Sequence, residues 1–175
     1  MKVTQLPLEI VRSHEAKPLD AADTIAIHEL INRVFLAEDS RDREALQQTV
    51  TEDFVQEHTI FGKLTGRETF ASWVIDNPEF FDGIRHMAGN IVVSGDGIDR
   101  AQAVSYIYVF QLFSDIYEAS NIPRILAHGI VRDRLIKENG RWKIAHRIYD
   151  QFAVQSEVVP DAKIREQASQ AIDAK

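Results

Sequence analysis

The sequence predicts an α+β fold, a cone in which three N-terminal helices pack on one face of a curved, mainly antiparallel sheet. Two observations predict it. Apolar residues recur at helical spacing in the first half, and the second half is a series of long strand-like runs separated by glycine-containing turns.

From Asp20 onward, Ile25, Ile27, Leu30, Ile31, Val34 and Phe35 form an apolar stripe at a spacing of about 3.6 residues. Asp20 or Asp23 can cap the start of this helix. The stripe stops at "AEDSRD", where Asp39, Ser40 and Asp42 are all candidate N-caps for a second helix, "REALQQTV". "DFVQEHTIFG" alternates and reads as a short strand, and "TGRETFASWVI" opens a third helix with the capping-box spacing Thr65-x-x-Glu68. Asn77-Pro78 ends that helix. Strands are then predicted over 84–94, 99–113, 124–137 and 141–153, and the "SGDG" and "ENG" turns suit hairpins because glycine supplies a positive φ. The organisation is an N-terminal extension (1–19), one domain (20–153) and a C-terminal tail or helix (154–175).

The 175 residues are 45% hydrophobic and 27% charged, a balance that excludes a wholly disordered chain. A net charge of −7 is dispersed with no basic block, which argues against a nucleic-acid partner. There is no cysteine, and the six histidines form neither HxH nor HExxH, so no metal or other cofactor is expected. Glu9 and Arg12 interrupt the opening segment where a secretory leader needs an apolar run, and no membrane-length apolar stretch occurs; a cytoplasmic location is expected.

The chemistry-bearing stretch is "GIRHMAGNIVV". Side chains alternate along a strand, so His86 and Asn90 are expected on one face, and on the concave face both would enter a cavity between sheet and helices. Asp39, at the end of the first helix, is the candidate partner of His86. A carboxylate holding one ring nitrogen would leave the other to move a substrate proton. The plainer readings stand beside it: Asp39 as a helix cap, and His86 with Asn90 as a satisfied polar pair in the sheet.

Helix, "AEDSRDREAL", helix, "IRHMAGN" and a terminal "VRDRLIKENGRWKIAHRIYDQF" form a recognisable series. Over residues 20–153 the chain resembles SnoaL-like proteins of the nuclear-transport-factor-2-like superfamily, most distinctively in Asp133, Leu135, Gly140, Trp142, Ile144 and Arg147. The resemblance implies a strongly bent mixed sheet wrapped around helices, a deep apolar pocket and a homodimer. Its dehydratase and dehydrochlorinase branches use an Asp–His pair, which falls on Asp39 and His86. The chain also departs from those branches. The second histidine of scytalone dehydratase is replaced by Gln111, its later Ser and Asn by Gly129 and Val131, and its tyrosine before the Asp by Glu38. The lysine of the dehydrochlorinase falls near Val34.

Together these readings predict a cofactor-independent lyase or isomerase with Asp39 and His86 as catalytic residues. Asn90, Tyr106, Tyr108, Phe54, Trp73 and His128 are the candidate substrate contacts, and the substrate is a small apolar cyclic or polyketide-like molecule. Tyr106, Tyr108 and Phe110 share one strand face, while Ser105, Ile107, Val109 and Gln111 share the other, and only one set can line the pocket. His58 is ambiguous between sheet surface and pocket, and His128 between pocket and an outward, dimer-facing role. The alternatives are a non-catalytic binding or dimerising module, or the small subunit of a ring-hydroxylating dioxygenase, since one fold serves many functions.

Overall fold

The computed structural model of the chain describes residues 18–58, 60–112 and 124–154. Among these, α1 (Ala21–Ser40), α2 (Arg43–Thr49) and α3 (Arg67–Asp76) pack against one six-stranded sheet. The strands are β1 (Val50–His58), β2 (Gly62–Thr65), β3 (Ile84–Gly95), β4 (Arg100–Gln111), β5 (Arg124–Glu138) and β6 (Arg141–Val154), in spatial order β2-β1-β6-β5-β4-β3. β3 to β6 form the expected antiparallel meander, and β1 runs parallel to β6, which makes the sheet mixed. The N-terminal extension before residue 18 and the C-terminal segment after residue 154 lie outside the described residues.

Asp20 caps α1, its Oδ1 accepting the Asp23 N–H at 2.7 Å. Ile27, Leu30, Ile31, Val34 and Phe35 are buried as the stripe requires, but Ile25 is 63% exposed. Two residues before Ile27 is about 200° around the helix, so Ile25 faces the far side. Asp23 accepts hydrogen bonds from Lys137 Nζ at 2.7 Å and Trp142 Nε1 at 2.8 Å, which tie the first turn of α1 to the β5–β6 hairpin. Asp42 is the cap of α2, accepting the Ala45 N–H at 3.0 Å, so Asp39 is free of that duty.

The expected capping box of α3 does not form. Thr65 is the last residue of β2, a strand the sequence reading missed, and the N-cap is Gly66 at φ 93°. Glu68 instead accepts from Gln47 Nε2 at 2.6 Å. The segment read as one strand is β1 followed by the turn that pairs it with β2.

Curvature comes from breaks in strand register. In β3, two residues, Asn90 and Ile91, stand against one on β4 between the Gly89 and Val92 pairs, and Asn90 takes φ 52°. In β6 the register breaks around Gln151, at φ 49°, opposite Gly129. Asn139 and Gly140, both with positive φ, make the two-residue turn between β5 and β6. The concave face of β4 is Ala101, Ala103, Ser105, Ile107 and Val109, all buried against the helices. The motif residues Asp133 and Arg147 are also buried there: Arg147 donates through Nε and Nη2 to Asp133 at 2.8 and 2.9 Å.

Candidate active site

α1 ends in two consecutive carboxyls that point in different directions, about 100° apart around the helix. Asp39 turns to β3. Its carboxylate accepts the His86 backbone N–H at 3.1 Å and lies 2.7 Å from His86 Nδ1. Both side chains are largely buried, at 6% and 11% exposure. These hydrogen bonds offset the poor placing of an anion at the negative end of a helix. With Nδ1–H donating to Asp39, the Nε2 lone pair of neutral His86 is available, and Nε2 has no hydrogen-bond partner among the described residues. Phe35 stacks on the imidazole at 5.7 Å and 14°, and Phe81 lies at 6.0 Å, so rotation of the ring is restricted.

Glu38 turns to the sheet. It is 3% exposed, with Oε1 at 3.8 Å from Arg147 Nη1, beyond hydrogen-bond range. Burial raises its carboxyl above the ordinary value, against the pull of His86 and Arg147. Burial also works against the Arg147 charge, but the adjoining Asp133 carboxylate more than compensates and keeps the guanidinium protonated. The Arg147 guanidinium stacks on Phe35 at 4.6 Å, which links the buried ion pair to the ring that supports His86.

His86 and Glu38 line a cavity of about 110 Å³ with Gln56, His58, Phe61, Phe70, Trp73, Phe80, Phe81, Ile84, Val109, Leu126, Ala127, Tyr149, Phe152 and Val154. The walls are mostly aromatic, with Trp73 stacked on Phe80 at 6.2 Å. His58 is buried at the end of β1, where Nδ1 accepts the backbone N–H groups of Ile60 at 3.0 Å and Phe61 at 3.3 Å. Its burial lowers the imidazole to about 3, so the ring is neutral and carries its proton on Nε2. Burial raises the Tyr149 phenol, which is therefore un-ionised.

Several expected contacts lie elsewhere. The bulge at Asn90–Ile91 breaks the alternation that would have put Asn90 beside His86; Asn90 is exposed and outside the cavity lining. Tyr106 and Tyr108 are on the outer sheet face, Tyr106 with Val104 and Ile130 and Tyr108 near Phe110, so the set bearing Val109 is the one that reaches the cavity. His128, paired with Tyr108 across the strands, is exposed. Phe54 is buried behind the lining, edge-on to Phe70 at 5.0 Å. Trp73 is in the lining as expected.

Glu38, Gln56, Tyr149 and Phe152 were not singled out as pocket residues from sequence. Phe152 enters because of the β6 register break, and it packs directly over Gly129: a Cβ at 129 would lie 2.8 Å from Phe152 Cδ2 and 3.0 Å from its Cα. Among the described residues no three His, Asp or Glu side chains converge as metal ligands, and no helix is long and apolar enough to cross a membrane.

The profile of the SnoaL-like domain matches residues 20–148. Similar solved structures include a protein of unknown function with a cystatin-like fold from Nostoc punctiforme, at 25% identity and TM-score 0.65, covering 75% of this chain and 92% of that one. An NTF2-like protein with a cystatin-like fold from Novosphingobium aromaticivorans aligns at 23% identity and TM-score 0.64, over 83% of this chain and 88% of that one. A scytalone dehydratase candidate from the same organism aligns at 20% identity and TM-score 0.63, over 77% and 88%. No curated protein sequence matches the chain.

Proposed function

Because the chain belongs to the SnoaL-like domain family, we propose that it is a cofactor-independent lyase or isomerase that moves a proton on a small cyclic substrate. The observation that carries this reading is the 2.7 Å contact between Asp39 Oδ1 and His86 Nδ1 at the wall of an aromatic cavity. His86 Nε2 removes a proton from carbon next to a carbonyl, and the C–H electron pair passes into an enolate. Asp39 holds the ring in one tautomer and stabilises the imidazolium that results. The imidazolium then returns the proton, either to another carbon or to a departing hydroxyl that leaves as water. The volume is near that of an engineered cavity of about 150 Å³ that takes one benzene ring, which favours a single-ring substrate.

The outer sheet face carries exposed Met87, Tyr108 and Ile125, the surface through which this reading places a homodimer.

The test uses two ring ketones. In D2O, NMR follows deuterium uptake next to the carbonyl of cyclohexanone, and ultraviolet absorption follows the dehydration of 3-hydroxycyclohexanone. Wild type is expected to accelerate at least one, and Asp39→Asn to slow it about a hundredfold with an unchanged melting temperature. Acceleration that survives in both Asp39→Asn and His86→Gln removes the dyad; no acceleration by wild type returns the protein to a binding role.

A further inference from the structure

Three polar side chains of the cavity are unused by the Asp39–His86 pair, and none has its hydrogen-bonding capacity met. Glu38 Oε1 and Gln56 Oε1 are fully buried without a hydrogen-bond partner, in residues that are each 3% exposed. His58 has both backbone donors on Nδ1, so Nε2–H is left to donate, and it has no partner among the described residues. Buried polar groups are rarely left unmatched unless a ligand or water completes them. Here three of them share one lining, and all else around them is aromatic or aliphatic apart from His86 and Tyr149.

We propose that Glu38 and His58 form an oxygen subsite that binds the carbonyl of a neutral, single-ring ketone or aldehyde. This deepens the reading of the same cavity as a proton-transfer site by naming its substrate class. His58 Nε2–H is a fixed donor, because the two backbone N–H groups on Nδ1 leave no other tautomer. Glu38 is the second donor in its acid form, which burial favours. Gln56 Oε1 is an acceptor and takes no part in binding the carbonyl oxygen.

The sheet order makes the placement useful. β1, which bears Gln56 and His58, is separated from β3, which bears His86, by β6, β5 and β4, yet all three side chains line one cavity. A ring lying between them would present oxygen to one flank and a C–H bond to the other. The charges disfavour the alternative ligand: the cavity lining holds no Lys or Arg, Arg147 outside it is paired with Asp133, and the Asp39 carboxylate adjoins the cavity through His86, so a carboxylate ligand would meet like charge without a cation in the lining.

Calorimetric titration of the wild-type protein with acetophenone, ethylbenzene and benzoate tests this. Acetophenone is expected to bind about tenfold tighter than ethylbenzene, the gain of a matched carbonyl, and benzoate weakest. Infrared spectroscopy of bound, carbonyl-labelled acetophenone should show the stretch at lower frequency than in water, and His58→Phe should move it back. Equal binding of acetophenone and ethylbenzene, tightest binding of benzoate, an unshifted stretch, or no saturable binding of any of the three overturns the subsite. The wild-type spectrum needs no variant to fold. His86→Gln should keep the acetophenone preference, so loss of proton transfer and loss of carbonyl binding are separately visible.

Discussion

His86 on β3 and His58 on β1 stand on opposite flanks of the sheet and reach the same cavity, but their Nδ1 atoms face opposite kinds of partner. At His86 the partner is a carboxylate, so Nδ1 donates and Nε2 is left as a lone pair. At His58 the partners are two backbone N–H groups, so Nδ1 accepts and Nε2 is left as a donor. One residue type thus serves as base or as oxygen binder according to what the chain places behind it. Both rings are largely buried, and at His58 protonation would also pit a cation against the two N–H dipoles.

The comparison breaks most sharply in catalysis. His86→Gln is expected to slow deuterium exchange into cyclohexanone by about a thousandfold, the scale of general-base catalysis. His58→Gln, which retains an amide donor, should cost about tenfold or less. Equal losses in the two variants would mean that the imidazoles are not differentiated.

Next in size is the pH dependence of stability. Folded His58 titrates near 3 and an unfolded histidine near 6.5, so only the unfolded chain takes up this proton between those values. Its contribution is complete above pH 6.5 and is lost as pH falls toward 3, by an amount on the order of a few kcal/mol. Glu38 has the opposite sign: its carboxyl is raised above 4.5, so its contribution is present at lower pH and fades as pH rises through the folded value. Urea midpoints measured against pH should therefore show a steeper rise over pH 3–6.5 in Glu38→Gln than in wild type. Adding His58→Gln should flatten it. A slope indifferent to His58 would show that the ring is not held neutral.

A smaller effect tests the packing behind His58. Phe152 lies edge-on to that imidazole at 4.5 Å and covers Gly129. Gly129→Ala overpacks the contact, and the melting temperature should fall by about 5 °C. The same variant should weaken acetophenone binding more than it slows exchange per bound molecule, because Phe152 shapes the His58 side of the cavity. No change in melting temperature would mean that the β6 segment yields freely.

These contrasts also mark what the sequence could convey. The meander was legible because alternation and Asn139-Gly140 are local signals, and Asp39 was legible as the candidate partner of His86 from its helix-end position, with the resemblance falling on the same two residues. The hairpin to β2 was not legible: Thr65 and Glu68 have the spacing of a helix cap, but pairing with β1 captured Thr65 first. Glu38 reads as a solvated helix-end charge until Arg147, more than a hundred residues later, is found 3.8 Å away. Phe152 depends on a register break that its own alternation gives no hint of.

Asn90 gives the smallest expected effect and the cleanest control on this reasoning. It sits four residues after His86 on the same strand, and an unbroken pleat would point both into the cavity. The two-against-one pairing at Asn90–Ile91 shifts the phase, so Ile91 packs toward the core and Asn90 is exposed at φ 52°. Asparagine tolerates that left-handed conformation and glycine adopts it without a steric penalty. Asn90→Gly should therefore change stability by no more than about 0.5 kcal/mol and leave exchange rate and acetophenone affinity within about twofold. Asn90→Val, whose branched side chain resists a positive φ, should destabilise by about 1–2 kcal/mol while sparing the chemistry. A tenfold loss of exchange in the glycine variant would place the amide in the cavity after all, and the bulge would have to open for that to happen.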